Sequence, residues 1–246
     1  MANETLANNR TAQAREFVYV WEFPVRLFHW VNVLCIFVLG VSGYLIGNPL
    51  AIHSASEASQ QYWFGTARFI HFTTAWIWVF NSLIRVYWGF VGNEYVRFKN
   101  FLPLRKEQWK EISYVFKMDV FQVWKGATSS IGHNPLAGLA YTIGFLGFAF
   151  QALTGIGLYV AMSNNWFVDL FGWIVPLMGG DHTVRLWHHM MLWFFVVFFL
   201  VHVYLSAYHD YVEATGTISS MVGGWKFVKR IPSKLRKKPD AKEPSE

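Results

Sequence analysis

Charge is scarce in these 246 residues: 15% are Asp, Glu, Lys or Arg, against 54% hydrophobic and 19% aromatic. A chain of that composition cannot cover itself with a polar surface, which excludes an ordinary soluble domain and points to an integral membrane protein. Cysteine is scarcer still. The one cysteine, Cys35, excludes an internal disulfide and an all-cysteine metal cluster. Internal repeats, phosphate-binding glycine loops and zinc-type Cys/His spacings are also absent. The first sixteen residues hold no apolar core for a cleavable signal, so the first hydrophobic run is expected to direct insertion itself.

What is present is long apolar runs. Stretches able to cross a hydrocarbon core of about 30 Å run from Phe28 to Gly47, Phe64 to Gly92, Leu136 to Val160 and Leu186 to Tyr208. The expected fold is therefore all-α, a four-transmembrane-helix bundle. The interval Tyr114 to Trp124 is too short and too charged to span, with Lys117 and Asp119 inside it and Lys125 behind it, and reads as a surface helix.

Basic residues orient the bundle. Of 21 Lys and Arg, three precede the first run, eight lie from Arg85 to Lys125 and eight from Lys226 onward, leaving only Arg68 and Arg185 at the opposite ends. The positive-inside bias then puts both termini and the 92–135 loop in the cytoplasm, with 48–63 and 161–184 outside. Three parts are expected: a cytoplasmic segment 1–26, a transmembrane domain 27–210 and a basic cytoplasmic tail 211–246. From Lys226 to Lys242 the tail has the composition of a disordered segment. Topology and attraction to anionic membrane lipid account for the net charge of +6, so nucleic acid is not needed as a partner.

The histidines were not used to derive this topology, and they fall into a pattern on it. His188 and His202 lie fourteen residues apart, which puts them on nearly the same face of one helix, separated by about 21 Å along its axis. An ionisable side chain inside a membrane marks a functional site by default, because leaving it unpaired there is costly. His29 shares a leaflet with His202, and His71 shares the other with His188. Two depth-matched imidazole pairs inside a four-helix bundle point to two stacked cofactors, and haem iron is the ligand that best fits. No C-x-x-C-H stretch exists to tether haem covalently, so side chains alone must hold it.

His189 is the rival to His188, but it points about 140° away from the face shared with His202. His53, His133, His182 and His209 fall in loops or past helix ends, where a solvated or interfacial imidazole is expected. Arg85 lies fourteen residues after His71 and can reach a propionate of the inner haem; Arg68 and Arg185 are the candidates for the outer one. Gly40 and Gly43, with Gly144, Gly147, Gly155 and Gly157, are small residues that let a macrocycle or a helix approach the backbone.

The stretch Arg26-Leu27-Phe28-His29-Trp30 with Ser42-Gly43, and the stretch Arg185-Leu186-Trp187-His188-His189 with Trp193 and His202, closely resemble the signature segments of the b-type cytochrome subunit of membrane-bound nickel-iron hydrogenases. Ile131 to Pro135 and Arg85 to Asn93 resemble that family as well. The resemblance covers residues 17 to 225. His189 stands where many relatives carry Arg, and Leu186 where a small polar residue is common.

The resemblance implies a function. It implies a dihaem cytochrome b in a bacterial inner membrane, docked to the small and large subunits of a periplasmic-facing hydrogenase, that passes electrons from hydrogen to membrane quinone. The hydrogen-splitting site lies in the partners. His71 and His188 would hold the receiving haem b and His29 and His202 the haem b that reduces quinone. By resemblance to formate dehydrogenase gamma subunits, Asn134 would contact quinone with His133 as a proton relay; Gly132-His133-Asn134-Pro135 also reads simply as a capped helix start. Two other readings are a b561-like or formate dehydrogenase gamma-type electron-transfer subunit and a haem-free membrane anchor.

Overall fold

A computed structural model describes residues 15–50, 62–101, 106–121, 132 and 135–229. Strand β1 (Arg15–Tyr19) leads into α1 (Phe23–Gly47), α2 (Trp63–Val91), α3 (Lys106–Phe121), α4 (Pro135–Val160), the short α5 (Trp166–Asp169) and α6 (Ile174–Leu177), α7 (Asp181–Glu213), α8 (Thr217–Gly223) and β2 (Trp225–Lys229). Among the described residues three helices are long and apolar enough to cross a membrane: Phe23–Gly47, Leu136–Val160 and Asp181–Glu213. The protein is accordingly a membrane protein. Phe37, Phe90 and Leu146 are each at least 66% exposed, which is tolerable only where the solvent is lipid.

Helix α2 has the length but a different composition. Its 29 residues reach about 43 Å, yet it carries Arg68 and Arg85, and its buried residues are Ala67, Trp78, Asn81, Arg85 and Gly89. From Trp78 on, they recur every three or four positions, so they form one stripe. That stripe faces α1: Trp78 Nε1 donates to Asn32 Oδ1 at 2.6 Å, and Asn81 Nδ2 donates to the Phe28 carbonyl at 3.1 Å. Trp78 and Asn81 are thus spent on holding α1 rather than left to lipid.

α1 starts without a side-chain cap of its own, with proline in its first turn. Its Glu22 carboxylate instead reaches the far end of α2, accepting from Trp88 Nε1 at 2.8 Å and from the Asn93 amide at 2.9 Å. This fixes α1 and α2 as antiparallel neighbours. α7 packs on α1 and α4, and Trp78 against Phe148 at 5.1 Å and Phe72 against Tyr159 at 5.0 Å join α2 to α4. Four long helices thus surround a common centre. α3 lies beside α4 with Ile112 and Val115 buried, the surface helix of the sequence reading but begun earlier and ending at Phe121.

The ends of the described chain meet. β1 and β2 pair antiparallel from Arg15 with Lys229 to Tyr19 with Trp225. Trp21 Nε1 donates to Ser220 Oγ at 3.1 Å and Trp30 Nε1 to the Met221 carbonyl at 3.0 Å, so α8 is clasped onto the start of α1. Gly224 closes the clasp: its φ is 88°, its carbonyl accepts from Val20 and Trp21, and a Cβ there would sit 2.8 Å from the Trp21 oxygen. Lys226 is buried beneath; desolvation lowers its pKa, with Glu213 and Asp210 pulling it back up.

These elements revise the sequence boundaries. The tail expected to be disordered from Lys226 begins as strand β2. Helix α1 starts at Phe23 and α7 runs to Glu213, each a few residues beyond 27 and 210. The 161–184 segment holds α5, α6 and the first turn of α7.

Candidate functional site: two facing imidazole pairs

The centre of the bundle carries the four histidines singled out by depth. His29 on α1 faces His202 on α7 with ring centroids 6.3 Å apart. His71 on α2 faces His188 on α7 at 6.5 Å. A metal bound between two imidazoles at about 2.0 to 2.1 Å per nitrogen sets the centroids roughly 6.3 Å apart. Both pairs therefore stand at the separation of axial ligands, and both lie beyond direct hydrogen bonding. The two levels are fourteen residues apart on α7, about 21 Å.

Each ring of the His71–His188 pair is held by a different helix. Ser42 Oγ lies 2.9 Å from His71 Nδ1 and donates its own proton to the Val38 carbonyl at 2.6 Å. The hydroxyl therefore accepts from Nδ1–H, and Nε2 keeps its lone pair. Thr154 repeats this on α4, with its Oγ1 2.9 Å from His188 Nδ1 and donating to the Phe150 carbonyl at 2.9 Å. A neighbouring glycine makes room each time: a Cβ on Gly43 would stand 3.2 Å from His71 Cε1, and one on Gly155 3.1 Å from His188 Cε1. Gln151 adds a competitor. Its Nε2 lies 3.2 Å from His188 Nε2 while its Oε1 is buried and unpaired, so a metal on that nitrogen requires the Gln151 amide to turn away.

The His29–His202 pair has different surroundings. His29 Nδ1 is buried with no hydrogen-bond partner among the described residues. His202 lies parallel to Phe198, with centroids 6.0 Å apart and planes within 2°.

Among the described arginines, Arg85 alone is deeply buried, at 1% exposure. Its Nη2 donates to the Val96 carbonyl at 3.1 Å, and its guanidinium lies 5.6 Å from the Phe101 ring and 5.3 Å from Tyr141. Nε and Nη1 have no partner among the described residues. Two unsatisfied charged donors inside a bundle call for an anion. Arg68 is turned toward Met162 and lies over Phe72 at 5.7 Å. Arg185 is exposed in an ion pair with Asp181 at 2.6 Å.

The ring of His189 also lies 6.5 Å from that of His188, and its hydrogen bonding and packing, not its distance, separate it from the pair. Its Nδ1 donates to the Arg185 carbonyl at 2.8 Å, and its Nε2 lies so close to Gly47 that a Cβ there would clash. His182 is exposed in the first turn of α7, and His209 lies within that helix, not past its end, 3.2 Å from Glu213. His53, His133 and Asn134 lie outside the described residues. Ser42, Thr154 and Gln151 acquire roles that the sequence reading did not give them. The available signal was a hydroxyl residue followed by glycine inside two separate apolar runs.

The residues present fit an iron porphyrin: two depth-matched neutral imidazole pairs at axial spacing, glycines beside the rings, and a buried cation with open donors. A membrane bundle with paired core histidines is the architecture of a b-type cytochrome. The description "Prokaryotic cytochrome b561" matches residues 20–224, and the chain belongs to that family. A protein of Azotobacter chroococcum is 42% identical over 230 residues, covering 92% of this chain and 95% of the relative. Relatives from Cupriavidus necator, at 39% over 215 residues, and Escherichia coli K12, at 36% over 225, cover 86% and 89% of this chain and 87% and 95% of their own. The first two are named "Probable Ni/Fe-hydrogenase B-type cytochrome subunit" and the third "Probable Ni/Fe-hydrogenase 1 B-type cytochrome subunit". The resemblance read from the two histidine-bearing segments is borne out.

Proposed function

We propose that this chain is the electron-transfer subunit of a membrane-bound nickel-iron hydrogenase, holding two haem b groups between His71 and His188 and between His29 and His202. The observation that carries the reading is the pair of facing imidazoles repeated at 6.3 and 6.5 Å at two depths. When bound, haem b would supply a one-electron carrier, held by His71 with His188 and by His29 with His202. The chain's own work is to fix the imidazole tautomers, keep the bundle centre apolar and present Arg85 to a propionate.

The clasp of the chain ends supports four spans. Because β1 and β2 pair with each other, the described chain leaves and returns on one side of the bundle, which favours an even number of crossings. With α1, α4 and α7 crossing, α2 would be the fourth. The basic residues cluster on that same side, which supports cytoplasmic termini. The outer end, with His71, His188, α5 and α6, then faces the periplasmic small subunit, and the His29–His202 level lies nearer the quinone that takes the electrons.

Purification from membranes in mild detergent checks this directly. The expected result is two haem b per polypeptide by pyridine haemochrome, co-purifying small and large hydrogenase subunits, and haem reduction by hydrogen but not by ascorbate alone. Reduction by ascorbate in the isolated chain would favour a b561-like reductase, and absence of a b-type α band would leave a haem-free anchor.

The quinone end has its own test. Asn134→Leu should leave both haems bound and reducible by hydrogen while slowing their reoxidation by quinone. One net hydrogen bond is about 0.5 to 1.5 kcal/mol, so quinone-analogue inhibitors should lose several-fold in affinity. Unchanged reoxidation and inhibitor affinity would move the quinone site away from Asn134 and His133.

A further inference from the structure

Ser42-Gly43 on α1 and Thr154-Gly155 on α4 are the same device used twice, once for each imidazole of one pair. In both, the hydroxyl accepts from Nδ1–H at 2.9 Å and donates to a carbonyl one turn back, and the glycine admits the ring. No such device serves His29, whose Nδ1 is buried and unpartnered among the described residues. The two levels of the bundle thus differ in how their histidines are backed, although the ring separations are nearly equal.

We infer that Ser42 and Thr154 are positioning residues that lower the midpoint potential of the haem held by His71 and His188 relative to the haem held by His29 and His202. A hydrogen bond accepted from Nδ1–H makes Nε2 a more basic donor. A more basic ligand favours the more highly charged iron, so reduction becomes harder. Each hydroxyl is itself polarised by the carbonyl it donates to, which strengthens the chain. Two such chains act on one iron. The resulting order of potentials makes electron movement from the outer level to the inner one downhill. The inference rests on the dihaem reading but goes beyond it, since that reading fixes the ligands and not their potentials.

The test is a redox titration of the two b-type α bands in the hydrogenase complex. Ser42→Ala and Thr154→Val should each raise the outer potential by up to about tenfold in the reduction equilibrium constant, or about 59 mV for a one-electron couple, with the inner potential unmoved. Ser42→Thr and Thr154→Ser keep the hydroxyl and should keep the native value. Thr66→Val removes a hydroxyl that makes the same one-turn bond, to the Tyr62 carbonyl, and should move neither band. Should Ala or Val empty the outer site, Ser42→Cys and Thr154→Cys keep a weaker acceptor, and an upward shift is expected there. Full haem occupancy with unchanged outer potential, or equal shifts at both haems, would overturn the inference. A native chain holding a single haem would overturn the dihaem reading instead, a result separable from unchanged potentials in a chain that holds two.

Discussion

His71→Ala or His188→Ala is expected to halve the haem content and remove the same α band in each case, whereas His29→Ala or His202→Ala removes the other. The pairing rests on the ring separations of 6.5 and 6.3 Å together with the hydroxyl that backs each ring of the His71–His188 pair, and the effect is expected to be all-or-none because the site loses one of its two protein ligands. A second ligand for the outer site is not at hand, since His189 is turned back onto the Arg185 carbonyl and packed against Gly47. His189→Ala should therefore keep both haems. Pyridine haemochrome per polypeptide, read with a reduced-minus-oxidised spectrum, decides the matter. Two intact bands in any of the four variants would break the assignment, and loss of one band in His189→Ala would show that the wrong neighbour had been chosen.

Arg85→Met should change sign with cofactor loading. Arg85 is a buried cation with two donors unpartnered among the described residues, satisfied in part by the Val96 carbonyl and the faces of Phe101 and Tyr141. Taking a charge out of water is costly, so without an anion beside it, replacing Arg85 by an apolar side chain of similar volume is expected to be neutral or stabilising. If a propionate completes the guanidinium in the loaded protein, the same substitution leaves a buried carboxylate alone, which costs about 3 to 5 kcal/mol. Arg85→Met is thus expected to raise the thermal stability of the apo form and to lower that of the loaded form, with faster loss of the inner haem. Higher stability in both forms would make Arg85 a purely structural cation and move the propionate elsewhere.

Much of this protein is legible along the chain because a membrane imposes its own ruler. Hydrocarbon thickness fixes helix length, the basic-residue asymmetry proposes an orientation, and helical pitch fixes that His188 and His202 share a face. Depth matching then pairs His29 with His202 and His71 with His188, since straight antiparallel helices convert residue number into height. α2 was legible as a run, though it is the one of the four long helices without a stretch apolar enough to mark it as a span by composition alone. Its stripe of Trp78, Asn81 and Arg85 is explained only by partners on other elements, namely Asn32, the Phe28 carbonyl and the Val96 carbonyl.

What the sequence by itself determined is therefore local and periodic: membrane class, helical runs, face and depth of the four histidines, and the two segments that carry the family likeness. Tertiary structure decided everything that depends on which helices are neighbours. Ser42 touches His71 across 29 residues and Thr154 touches His188 across 34, and no periodicity within one helix relates them. The clasp between β1 and β2 joins Arg15 to Lys229 for the same reason. A five-residue strand has no partner until the bundle brings the chain ends together, so a short basic stretch reads as tail in the sequence and folds as sheet in the protein.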